Sequence, residues 1–187
     1  MRAVWIEPDE SYLAERRLRR QDKRDELWDG VLHMVPQPSF VHCDVSTRLF
    51  GALRPIATRR GMRVMTGCLG VFEPGTDRNY RVPDVTVFRP EHIVKRGIEG
   101  AELVIEVLSP NDDSRNKFDF YAKLGVGEVW IVDPQALVVE VYSLTGGAYV
   151  RVPSTGNLTI SPLLGISLEL DAGPVLRLRD GDDVHDV

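Results

Sequence analysis

"LVIEVLSPNDDSRNKFDFYAKLGVGEVWIVDP", residues 103–134, is the stretch from which the fold can be read. Leu103 to Leu108 form a nearly unbroken aliphatic run, the pattern of a strand covered on both faces. Ser109 and Pro110 end it, and they also suit the cap and first position of a helix, with Asp112 and Asp113 in its first turn. That helix is expected to run to Gly125, where a second aliphatic strand, "EVWIVDP", begins. Strand, helix and strand in this order predict a βαβ unit with parallel pairing. One residue does not fit simple burial. Glu106 stands in the middle of the first strand, on the face shared by Glu102, Val104 and Leu108.

Strand-like segments surround this unit: "MRVMTG" (62–67), "LGVFEP" (69–74), "RVPDVTVF" (81–88) and "LVVEVYSL" (137–144). Asp29-Gly30 between two short apolar runs is the signature of a two-residue hairpin. "PSFVHCDVSTRLFGALRPIATRRG" (38–61) places Val41, Val45, Leu49, Leu53 and Ile56 at helical spacing, with Gly61 as its stop. Residues 9–24, "DESYLAERRLRRQDKR", read as a short charged helix whose arginines form a solvated face. The whole is expected to be α/β: a mixed β-sheet core flanked by helices in a single domain. Its expected parts are an N-terminal helical extension (1–25), the domain proper (26–172) and a C-terminal tail (173–187), whose acidic end "RDGDDVHDV" (179–187) is expected to be frayed.

The chain has 187 residues, 43% of them hydrophobic, enough for one substantial core. A net charge of −5 excludes a wholesale basic coat for nucleic acid. Cys43 and Cys68 are the only cysteines, without CxxC spacing, which argues against a zinc knuckle or a disulfide scaffold. Neither a signal-peptide core nor a run long enough to cross a bilayer is visible, so a cytoplasmic protein with no membrane partner is expected.

A buried carboxylate needs a compensating partner. Asp84, just after Pro83 in another aliphatic strand, suggests one. If the two strands are neighbours, Asp84, Glu106 and a backbone carbonyl can converge on a hard divalent cation, Mg²⁺ or Mn²⁺. Lys117 shares a helix face with Asp113 and Tyr121 and can point back towards Glu106, where it would orient a metal-bound water. The same spacing also describes an ordinary surface ion pair of Lys117 with Asp113.

A Pro-Asp in one strand, an acid in the next and a nearby lysine resemble the PD-(D/E)XK restriction-endonuclease-like superfamily. The longer blocks "ELWDGVLHMVPQPSFVH", "RVPDVTVF", "ELVIEVLSP", "DSRNKFDFYAKLGVGEVWIVDP" and "GGAYV" resemble the Uma-two family of restriction-endonuclease-like proteins, across residues 26–170. The resemblance implies a restriction-endonuclease-like core and a metal-dependent endonuclease acting on DNA. It implies metal binding by Asp84, Glu106 and the Val107 carbonyl, and a catalytic Lys117. The superfamily's usual lysine position is here Leu108, so that role moves to the helix. A further acid is usual on the first helix, and Glu26, His42 and Asp44 are the candidates. Tyr121 is a possible accessory residue, though packing is the more ordinary explanation for it. A homodimer suits cutting two strands. The alternatives are a nuclease acting on RNA, or a non-catalytic binding or assembly module that retains a remnant acidic site.

Overall fold

The computed structural model describes residues 3–5, 9–19, 22–67, 69–110, 113–171 and 175–187. The chain opens with β1 (Ala3–Trp5), α1 (Glu10–Leu18) and the hairpin β2 (Glu26–Trp28) and β3 (Val31–Met34). The twenty-residue α2 (Phe40–Arg59) then leads to β4 (Arg63–Thr66), β5 (Val71–Phe72), β6 (Tyr80–Arg81) and β7 (Val85–Phe88). A 3-10 turn and the short β8 (Ile93–Val94) and β9 (Gly97–Ile98) precede β10 (Leu103–Val107). A second 3-10 turn (Ser114–Lys117) runs into α3 (Phe118–Lys123), followed by β11 (Glu128–Val132), β12 (Val139–Thr145) and β13 (Ala148–Arg151). Four more strands close the described chain: β14 (Leu158–Ile160), β15 (Ser167–Asp171), β16 (Val175–Asp180) and β17 (Asp183–Asp186).

The central sheet has the order β13-β12-β11-β10-β7-β4. Only β10 and β11 are parallel, as the strand-helix-strand pattern of 103–134 predicts. Strand alternation divides its residues between two cores. Val85, Val87, Leu103, Ile105, Val107, Trp130 and Val132 pack against Leu49, Leu53 and Ile56 of α2. Val104, Val129 and Ile131 face Phe120 and Tyr121 of α3. A second sheet, β1-β3-β2-β6-β5-β9-β8, carries the Asp29-Gly30 hairpin. Its turn residues have φ of 49° and 87°, the left-handed pair a two-residue turn requires.

The second helix begins where Ser39 accepts the His42 N–H and stops before Gly61, whose φ is +71°. Val41 is half exposed rather than buried, because the first turn of α2 projects along a cleft instead of over the sheet. The helix after β10 starts later than its capping signals suggest. Leu108 N–H is bonded to Val132 O, so the strand continues past Val107 and Ser109 is not a cap. Helical geometry is first seen at Ser114, and Asp112 lies outside the described residues.

Both ends of the chain depart from expectation. Residues 175–187 are not a frayed tail. β15, β16 and β17 pair antiparallel, and Leu176, Leu178 and Val187 are buried in the α2 core. "VLRLRD" has the alternation of a half-buried strand, which the acidic residues after it obscured. At the other end, residues 1–25 hold more than a helix, since β1 pairs with β3. The arginine face is only partly solvated: Arg16 makes a two-pronged bond to the buried Asp25, while Arg17 and Arg19 stay exposed and Arg20 is outside the described residues. No helix among the described residues is long and apolar enough to cross a membrane.

Candidate active site

Strands β7 and β10 are antiparallel neighbours, with Val87, Thr86 and Val85 opposite Leu103, Val104 and Ile105. One step further along that register sets Asp84 against Glu106, on the face turned away from α2. Two carboxylates 22 positions apart in sequence become cross-strand neighbours for that reason alone.

Their surroundings differ. Asp84 Oδ2 accepts the Val107 N–H at 2.8 Å and lies 3.1 Å from His42 Nε2, while Oδ1 accepts from Arg24 Nη2 at 2.6 Å. Burial alone would push this carboxyl up. The hydrogen bond and charge of His42, the Arg24 guanidinium and the Val107 N–H outweigh it and hold Asp84 below the usual range. Glu106 is 3% exposed. It accepts from Lys117 Nζ at 2.9 Å on both oxygens and from the Tyr121 hydroxyl at 2.6 Å. Burial, helped by the charges of Asp84 and Glu26, overrides Lys117 and pushes its pKa up to about 7. Two carboxylates held apart in this way are the pattern in which acid and base roles separate.

Lys117 is 5% exposed, so it is not an exposed partner of Asp113. Its ammonium also reaches Glu26 Oε1 at 2.9 Å. Glu26 in turn accepts from Val82 N–H and Trp28 Nε1, which fixes it on β2. Lys117 and Tyr121, four residues apart at the start of α3, thus meet at one carboxylate. Asp113 precedes the 3-10 turn and does not continue that helical face. Beneath the cluster, the Arg81 guanidinium lies 4.1 Å from the Phe120 ring centroid and 4.5 Å from that of Trp28.

Above it opens a cleft of about 830 Å³, lined among others by Arg24, His42, Asp84, Glu106, Lys117 and Asp133. A family model described as "Uma2: Putative restriction endonuclease" matches residues 9–173. The chain belongs to the Uma2 family. No curated protein matches it. One similar solved structure is described as that of "a putative nuclease belonging to DUF820", from Anabaena variabilis. It is 20% identical, with a TM-score of 0.61, over 77% of this chain and 84% of that one, a likeness of fold.

In this Uma2 chain the structure brings together every candidate read from the sequence except Asp44. Asp44 is half-buried and paired with Arg48, one turn along the helix. Of the three candidates for a further acid, Glu26 from the hairpin reaches the lysine, and His42 from the first turn of α2 reaches Asp84. Tyr121 bonds Glu106, so its role exceeds packing. Asp133 accepts the Gln135 and Ala136 N–H groups, a turn role, at the rim of the cleft. The residue that sequence reading passed over is Arg24. It closes the basic stretch in the turn just before β2, where no local pattern marks it as facing the site.

Proposed function

We propose that this chain is a Mg²⁺-dependent endonuclease, able to use Mn²⁺, that hydrolyses DNA phosphodiester bonds in the cytoplasm. The observation that carries the reading is the pairing of Asp84 with Glu106 at the floor of an open cleft, with a buried lysine against Glu106. Family membership and the nuclease-like fold support the reaction class.

The donor set fits a divalent ion of the magnesium kind. Among the described residues no three His, Cys, Asp or Glu side chains are grouped so as to hold a metal ion by themselves. Mg²⁺ seldom uses one: it keeps several waters and takes one or two carboxylates. Burial is the main cause of the raised Glu106 pKa, and the neighbouring charges of Asp84 and Glu26 add a repulsion that a cation would relieve. Asp84, Glu106 and the Val107 carbonyl would hold the ion. When bound, it supplies Lewis acidity towards a phosphate oxygen and acidifies a coordinated water.

The chain's own residues supply the rest. Lys117 orients the attacking water and balances charge that develops on the phosphate. Tyr121 and Glu26 hold Glu106 and Lys117 in place by the bonds described above. His42 and the Val107 N–H keep Asp84 ionised and aligned. A two-fold dimer presents two such clefts to the two strands of a duplex.

A second reading has one observation in its favour. Both carboxylates already have cationic partners, Arg24 and Lys117, as in a structural ion cluster of a binding or assembly module. Calorimetric Mn²⁺ titration and plasmid cleavage, with RNA as a parallel substrate, separate the two. The nuclease binds Mn²⁺ and cleaves, and Asp84→Asn and Glu106→Gln lose both while remaining folded by circular dichroism. A wild-type protein that binds no divalent ion and cleaves nothing is the module.

A further inference from the structure

The cleft has a charge problem that the metal reading does not solve. Its titratable lining is mostly acidic, with Glu26, Asp84, Glu106, Asp113 and Asp133, yet a nucleic-acid substrate arrives as a polyanion. Among the described residues that line it, only Lys117 and Arg24 are cationic side chains of the Lys or Arg type. Lys117 is buried and holds Glu106 and Glu26. Arg24 is in a different position. Its side chain is 28% exposed, and its bond to Asp84 runs through Nη2. Its Nε is buried without a hydrogen-bond partner among the described residues. An orphaned donor of this kind calls for an explanation.

The seat of the guanidinium is built for it. A smaller pocket of about 210 Å³ adjoins the cleft across Asp84, lined by Arg24, His42 and Gly67 among others. A Cβ on Gly67 would stand only 3.1 Å from Arg24 Nη1, so the absence of a side chain there gives the fork its room. Gly67 N–H is itself bonded to Asp84 O, which ties the seat to the backbone of Asp84. A planar guanidinium fork, once released from Asp84, matches the two oxygens of a phosphate.

Resting on the nuclease reading, we propose that Arg24 is the phosphate clamp of the cleft and the stand-in counter-ion of Asp84. In the metal-free protein it neutralises Asp84. With Asp84 engaged by a divalent ion, the guanidinium would be free to turn its fork to a backbone phosphate of the substrate. The exchange keeps Asp84 compensated at every stage, and it gives the acidic cleft an anion contact only when the metal is in place.

The test uses two binding measurements on the full chain, neither of which needs turnover. Mn²⁺ affinity is measured by calorimetry. Affinity for a short DNA duplex is measured by fluorescence anisotropy in Ca²⁺ buffer across a salt series. Arg24→Met removes the competing cation, so Mn²⁺ binding tightens, by about tenfold, while DNA affinity falls by about tenfold or more. The slope of log affinity against log salt drops by about one contact. Arg24→Lys keeps the charge without the fork, so it retains wild-type Mn²⁺ affinity and salt slope but binds DNA more weakly. Gly67→Ala crowds the fork and weakens DNA binding without weakening Mn²⁺ binding. A residue that merely braces Asp84 gives the opposite sign: Arg24→Met then loosens Mn²⁺ and leaves the DNA slope unchanged, which overturns the proposal. Unchanged DNA affinity and slope in Arg24→Met also overturns it, even when wild type binds both ligands. Wild type that binds no Mn²⁺ overturns the nuclease reading, and this proposal with it.

Discussion

Glu106→Gln tests whether the proposed metal carboxylate is a net cost to the metal-free fold. In the folded protein burial pushes the Glu106 pKa up to about 7, from an ordinary value of 4.5. The native state therefore keeps a proton that the unfolded chain has released between those two values. Binding more protons when folded means that stability falls as pH rises across that window, then levels off above it. At about 1.4 kcal/mol per pH unit, the full loss is about 3 kcal/mol. Glutamine has the shape of the protonated acid and cannot ionise. The variant and the wild type should come closest at the acid end of the series, and the variant should be the more stable by up to about 3 kcal/mol at pH 8. In thermal midpoint this is roughly 6–12 °C at the 2–4 °C per kcal/mol usual for chains of this size. The assay is denaturant or thermal unfolding of both proteins in EDTA at half-unit steps from pH 5 to pH 8. Excess Mn²⁺ should then restore the wild type at pH 8 by about 2.7 kcal/mol at a hundredfold excess over its dissociation constant, and should do little for the variant. Parallel pH profiles for the two proteins would refute the reasoning, because they would mean that Glu106 ionises at no cost.

The neighbouring carboxylate should behave in the opposite sense: Asp84→Asn should lose about 2 kcal/mol at pH 7 in EDTA, since Asp84 is held ionised by three donors, and urea unfolding measures it. Lys117→Met should cut Mn²⁺-dependent plasmid cleavage by about a hundredfold or more, whereas Lys123→Met, whose partner is the distant Glu73, should cleave as wild type does. Lys117→Met should also destabilise by about 3–5 kcal/mol at pH 8, and by less below pH 7 where Glu106 takes up a proton, which loss of an exposed lysine would not do. Glu128→Ala should cost about 3 kcal/mol in chemical unfolding, because it strips acceptors from Trp130 Nε1, Ser161 Oγ and Leu163 N–H.

The sequence by itself determined the pieces whose physics is local. Aliphatic runs on either side of a helical segment specified the parallel pair β10 and β11. Asp29-Gly30 specified a hairpin turn, and the three- and four-residue spacing from Val45 to Ile56 specified α2. A carboxylate inside an aliphatic strand marked Glu106 as a residue needing a partner. The order of five sequence blocks pointed to the family. The tertiary structure decided what depends on register and on approach between distant segments. That Asp84 faces Glu106 follows from the antiparallel pairing of β7 with β10, which no local signal encodes. Residues 175–186 form the hairpin of β16 and β17 because Leu176, Leu178 and Val187 find apolar cover in the core against α2, a gain visible only once that core exists. Lys117 and Asp113 have the spacing of a surface pair, and only the docking of α3 onto the sheet turns that lysine inward to Glu106 and Glu26. Arg24 belongs to the same class. Its charge is one of many in a basic run, and its role is set by the strand sixty residues away that brings Asp84 to its guanidinium.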